Sequence, residues 1–114
     1  MVNKKYVPKR CDIVWLNFNP QAGYEQAGRR PALVLSSRAY NEKTNRFIVC
    51  PITSKIKGYV FEKVLPNSVS KIQGAVLIDH VKNLDWTARN VEFCDIVDNE
   101  FADSVADIID GLVH

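Results

Sequence analysis

The sequence holds few of the residues that build redox or metal centres. It has two histidines, one methionine and three cysteines among 114 residues. Cys11, Cys50 and Cys94 stand far apart with no CxxC, and an odd count is a poor disulfide framework. Cys50 lies inside the apolar run RFIVCPI and reads as a small buried hydrophobe. His80 is the only internal histidine, because the other is the terminal His114. With no HExxH and no paired spacing, neither a metal nor another cofactor is expected. A two-histidine acid–base pair within one chain is excluded for the same reason. No apolar run approaches the ~20 residues that cross a bilayer. No signal-length apolar stretch follows Lys4, Lys5, Lys9 and Arg10. A cytoplasmic protein with no membrane contact is expected.

What is present is enough for a core. Apolar residues make up 46% of the chain and charged residues 25%, a balance that argues for one folded domain spanning residues 1–114. The net charge of +2 conceals a division along the chain. Residues 1–84 hold 14 Lys/Arg against 5 Asp/Glu, whereas residues 85–114 hold one Arg against 8 Asp/Glu. A basic body is the electrostatic footprint of a phosphate-backbone partner, but it is equally a solvated surface with unevenly shared charge. The acidic end is also suited to lie against the basic body of another subunit.

Short β-forming runs bounded by turn residues occupy most of the chain. Strands are expected at Asp12–Phe18, Pro31–Ser36, Arg46–Ile52, Tyr59–Leu65, Gly74–Ile78 and Asn90–Val97. DHVKNLDW either extends the fifth strand or bends it. Residues 19–29 read as a glycine-bearing loop and 37–45 (SRAYNEKTN) as a polar connection. From Asp98 the apolar residues Phe101, Val105, Ile108, Ile109 and Leu112 fall at helical spacing, with Asp98 as N-cap and Glu100 in the first turn. The expected fold is mainly β with a C-terminal α-helix: a small barrel-like sheet over about 10–97 and a helix over about 98–113.

Polar groups gather at three places. In GYEQAGRRPALVLS, Glu25 sits on a glycine-flanked loop before Arg29 and Arg30, at the mouth of a strand opened by Pro31. Such a cluster is either an ion pair steadying the loop or a proton-transfer and phosphate-binding group. Thr53 and Ser54 follow the third strand beside Lys55 and Lys57. Their hydroxyls either meet a phosphate oxygen or make local backbone bonds. His80 is either a structural histidine or a group that titrates near neutrality. Tyr24 either stacks a base or packs its loop down.

The block GYEQAGRRPALVLS, with DIVWLNFNP before it, resembles the MazF/PemK family of toxin endoribonucleases, whose signature reads roughly GDxxxxxxxPxxGxEQxGxRPxxV. YNEKTN, PITS, KGYVFEKVL and GAVLIDHVKNLDW follow in matching order, so the resemblance runs from about Tyr6 to Arg89. It implies an SH3-like barrel of the MazF/PemK/CcdB type, a homodimer, and metal-independent cleavage of single-stranded mRNA. It also implies a MazE-like antitoxin as partner. Arg30 and Thr53 match the catalytic arginine and threonine, and Glu25 matches the glutamate of the EQ pair. Gln26, Arg29, Asn41, Lys57, His80 and Lys82 fall where RNA contacts are expected, Arg29 for phosphate at most. The sequence departs from the family at Cys11, where a glycine is usual, and at His80, where glutamine is common. The alternative within the same fold is a toxin that acts by protein contact, as a gyrase inhibitor does, without nuclease chemistry.

Overall fold

A computed structural model describes residues 5–18 and 28–114. In chain order these form β1 (Asp12–Asn17), β2 (Arg29–Val34), α1 (Arg38–Thr44), β3 (Arg46–Thr53), β4 (Glu62–Val64), β5 (Ala75–Leu77), a 3-10 turn (Ile78–His80), β6 (Lys82–Asp85), β7 (Glu92–Ile96) and α2 (Asn99–Val113). The expected mainly β fold with a C-terminal helix is the one found.

The central stretches of β1 (Ile13–Leu16), β2 (Pro31–Val34) and β3 (Phe47–Ile52) are continuously apolar because both of their faces are covered. On one face Ile13, Leu33, Cys50 and Ile52 pack with Ala102 and Val105 of α2. On the other, Val14, Leu16, Ala32, Val34, Phe47 and Val49 are closed over by Phe18, Leu84, Trp86 and Val91. Burial pushes the Cys50 thiol up to about 12, which fits its reading as an inert core residue.

All strand pairs are antiparallel, in the order β4-β5-β3-β2-β1-β7, and β6 also pairs with β3. Strand β3 therefore has three partners. Its first half meets β6 through Phe47↔Leu84 and Val49↔Lys82, its middle meets β2 through Leu33↔Cys50, and its end meets β5 through Ile52↔Val76. The pairing with β2 stops at Ala32↔Pro51. Backbone direction explains the stop. Leu35 N–H donates across to Ile48 O at 2.8 Å, so by alternation position 31 would be another donor toward β3. It is proline and has no N–H. Beyond it the two strands fork.

Two elements differ from the sequence expectation, and a third is settled between its two readings. The stretch 37–45, expected as a polar connection, holds a short helix. Ser37 caps it by accepting from Tyr40 N–H at 3.1 Å, and Asn45 ends it in the left-handed region at φ 59°. Strand β4 is shorter than Tyr59–Leu65, because Glu62 N–H closes a turn onto Tyr59 O at 3.0 Å. DHVKNLDW bends: the 3-10 turn separates β5 from a further strand, β6. At the C-terminus Asp98 caps α2 as expected, accepting from Phe101 N–H at 2.8 Å.

The acidic end of the chain folds back on its own basic body. Asp103 pairs with Arg10 and Glu92 with Arg29. Asp95 accepts from Ser70 and Lys71 N–H at 3.0 and 3.2 Å.

Cys11 occupies a position built for glycine. Its φ is +82°, and its backbone is held on both sides, N–H to Val34 O at 3.0 Å and C=O from Val97 N–H at 2.9 Å. A side chain at positive φ is strained, most of all a β-branched one. Cys11→Gly is expected to be at least as stable as the native protein in urea unfolding, and Cys11→Val less stable by about 2 kcal/mol. Equal midpoints for the two variants would show that the backbone relaxes.

Candidate active site

The fork between β2 and β3 opens into a cavity of about 580 Å³. Arg29, Arg30 and Pro31 line it from β2, Ile52 and Thr53 from β3, and Ser54, Lys55, Ile72 and Gln73 from the adjoining loops, with Trp15 as an apolar wall. Two strands that part thus bring Arg30 and Thr53, 23 positions apart in the chain, onto one space. Three cations and two hydroxyls face it, the composition of a site for a phosphate oxygen.

The two arginines do different work, as adjacent residues on a strand project to opposite faces. Arg29 donates to Asn17 Oδ1 at 3.2 Å and to Asn90 O at 3.0 Å, and it pairs with Glu92. It clamps β2 to the segment before β7. Arg29, expected at a phosphate at most, thus stands at the cavity edge as a charge already held by these partners. Arg30 is exposed on the cavity.

Thr53 is placed by the backbone around it. Its Oγ1 accepts from Lys55 N–H at 3.1 Å, the local bond anticipated for a strand-end threonine. That bond takes up an acceptor lone pair and leaves the O–H as a donor. Gly74 lies directly behind: it adopts φ +147°, and a Cβ there would stand 2.2 Å from Thr53 O. Only glycine allows this approach.

A second cavity of about 450 Å³ adjoins the first. Thr53 and Lys55 belong to both, and Lys57, Tyr59, Glu62, Leu77 and His80 complete the second. The Tyr59 hydroxyl donates to Asp79 Oδ2 at 2.7 Å, and this bond pushes the phenol above its ordinary value, holding it protonated. Asp79 Oδ1 lies 3.8 Å from His80 Nε2. Lys57 and His80, two of the expected residues, thus line this second cavity.

Other expected residues are not. Lys82 is exposed on β6 opposite Val49 and lines neither cavity. Asn41 is wholly buried, which corrects its expected contact with RNA. Its Nδ2 donates to Pro8 O at 2.7 Å and Ser36 O at 3.3 Å, and its Oδ1 accepts from Ser36 Oγ at 2.6 Å. It ties α1 to the N-terminal segment. Glu25 and Gln26 lie outside the described residues. Among the described residues, no three His, Cys, Asp or Glu side chains stand together as a metal site. Gln73 and Glu62 were not anticipated. The PITSKIKGY segment hinted at Lys55, but nothing in the sequence indicated that the loop before Gly74 closes on Thr53.

The family model described as PemK-like, MazF-like toxin of type II toxin-antitoxin system matches residues 9–112. The chain belongs to this family. It is 47% identical over 85 residues to the endoribonuclease toxin MazF of Escherichia coli K12, covering 75% of each chain. It is 39% identical over 93 residues to the endoribonuclease toxin ChpB of the same organism, covering 75% of this chain and 77% of that one. Among solved structures, MazF of Deinococcus radiodurans superposes with TM-score 0.84 at 46% identity, over 96% of this chain and 98% of that one. A MazE–MazF structure from that organism matches with TM-score 0.83 at 40% identity, over 96% and 97%.

Within this PemK/MazF chain, Asn41 and Gly74 should behave as structural residues. Asn41→Ala is expected to lower the unfolding free energy by about 2–3 kcal/mol, because it orphans buried backbone and hydroxyl partners. Gly74→Ala should cost about 1–3 kcal/mol through strain and shift the Thr53 backbone amide resonance. Urea unfolding and an amide spectrum check both; an unmoved Thr53 resonance would contradict the close packing.

Proposed function

We propose that this protein is a sequence-specific endoribonuclease toxin that cuts single-stranded mRNA and is neutralised by a MazE-like antitoxin. The observation that carries this reading is the meeting of Arg30 and Thr53 on one cationic cavity at the strand fork. Membership of the PemK/MazF family supports it, and so do the curated relatives named endoribonuclease. A homodimer is part of the proposal.

The chemistry that suits this residue set is transesterification. The ribose 2′ oxygen bonds to the adjacent phosphorus as the P–O5′ bond breaks, giving a 2′,3′-cyclic phosphate and a 5′-OH. The 2′ proton passes to a base and a proton reaches the departing 5′ oxygen. Water is not consumed, and no metal is called for. Negative charge grows on the non-bridging oxygens, where the Arg30 guanidinium and the Thr53 O–H donate. Such aimed donors commonly supply the largest part of the rate. Arginine holds its proton too firmly to act readily as an acid, so Arg30 serves as charge and donor. Glu25 is the proposed base, on the strength of its place in the EQ pair.

The first test is cleavage of a long single-stranded RNA in EDTA, with the new ends mapped. Discrete cuts bearing 5′-OH are expected. Arg30→Ala and Thr53→Val should each lower kcat by about 10²–10³-fold. RNA affinity should fall with salt at a log–log slope of about −2, for three cations at the cavity. Full cleavage by Arg30→Ala, or cuts that vanish in EDTA and return with a divalent ion, would overturn the scheme.

A further inference from the structure

Glu62 takes no part in the chemistry above, yet it organises the wall beside it. Its Oε1 accepts from three successive backbone N–H groups, Lys57 and Gly58 at 3.0 Å and Tyr59 at 3.2 Å, and Oε2 accepts from Lys57 at 3.3 Å. Successive N–H groups converging on an anion form a backbone nest. Gly58, at φ +73°, supplies the turn that makes it. The nest is filled by the chain's own carboxylate.

This matters because the loop is fixed by few contacts, and the nest ties three of its amides at once. Every residue from Ser54 to Val60 is exposed, so apolar burial does not hold it. Besides the turn bonds of Lys55 to Thr53 and Glu62 to Tyr59 at its two ends and the edge-on packing of Tyr59 against Phe61, its struts are the Glu62 nest and the bond from the Tyr59 hydroxyl to Asp79. The same loop carries Lys55, Lys57 and Tyr59 into the second cavity, which shares Thr53 with the first. An RNA strand with its phosphate at Arg30 and Thr53 is continuous, and the second cavity adjoins that point.

We propose that Glu62 is a positioning residue that holds loop 54–59 as the wall of a nucleotide subsite next to the cut bond. The subsite rests on the endoribonuclease reading; the hold on the loop does not. Without the carboxylate, Lys57 and Tyr59 must be ordered at each binding event, which weakens binding more than chemistry. Glutamine keeps a carbonyl acceptor in the nest without the charge, so it should rescue in part.

The test compares wild type, Glu62→Ala and Glu62→Gln in two ways. The first is the kinetics of cutting RNAs whose nucleotides on either side of the mapped cut are varied. Glu62→Ala should raise KM about tenfold, flatten the preference at one neighbouring position and leave kcat within about threefold, with Glu62→Gln between. The second is hydrogen exchange at the Lys57, Gly58 and Tyr59 amides, which needs no activity. These should be protected in wild type and lose protection in Glu62→Ala, while core amides of β3 stay protected. Unchanged KM and preference, a loss confined to kcat, or unprotected amides in wild type would each overturn the proposal. Wild type that cuts no RNA overturns the endoribonuclease reading and the subsite with it, and the amides then decide the anchoring role alone.

Discussion

The site depends on one constraint: β3 cannot keep a single neighbour along its length. Two prolines enforce this. Pro31 removes a donor on the β2 side, and Pro51 removes one from β3 between the stretch paired with β6 and the stretch paired with β5. A sheet that continued its ladder past Ala32 and Pro51 would close the space in which Arg30 and Thr53 meet. Double-sided burial of β1, β2 and β3 makes the fork rigid. A site on strand ends backed by a packed core keeps its geometry better than one carried on loops alone.

Much of the architecture could be read from residue pattern. Strands β1, β2 and β3 announce themselves as apolar runs with turn residues at their ends, and α2 by helical spacing after an Asp cap. What pattern missed has physical causes. Helix α1 is only seven residues long and its one buried residue is the polar Asn41, so no apolar period marks it; its signals are the two caps, Ser37 and Asn45. Strand β6 follows β5 after a single 3-10 turn, which spacing does not separate from a continuous strand.

The site was legible in part. Arg30, Thr53, Lys57 and His80 share the adjoining cavities, and their residue types suited that role. Asn41 was placed among the RNA contacts by its position in the family pattern, whereas here it satisfies buried backbone groups. Arg29 was set apart from Arg30 in the sequence, for phosphate at most, and strand alternation sends it to Glu92. Glu62 and Gly74 were invisible because what they meet are backbone atoms of other residues, which carry no sequence label. The charge division between the two ends of the chain also had an inward meaning: Asp103 and Glu92 meet Arg10 and Arg29 of the same chain.

The fork has a consequence for how such a site is surveyed. Across it, no ladder joins residues 29–31 to residues 52–53, so peptide groups of both strands border the cavity without a sheet partner there. A single-stranded nucleic acid offers donors and acceptors of the same kind at a similar reach. Under the proposed function that part of recognition would fall to the main chain, and trimming side chains one by one would leave it in place. A scan of that kind will therefore assign to Arg30 and Thr53 less than the whole of what the fork contributes, and the remainder will be felt only when the backbone itself is moved.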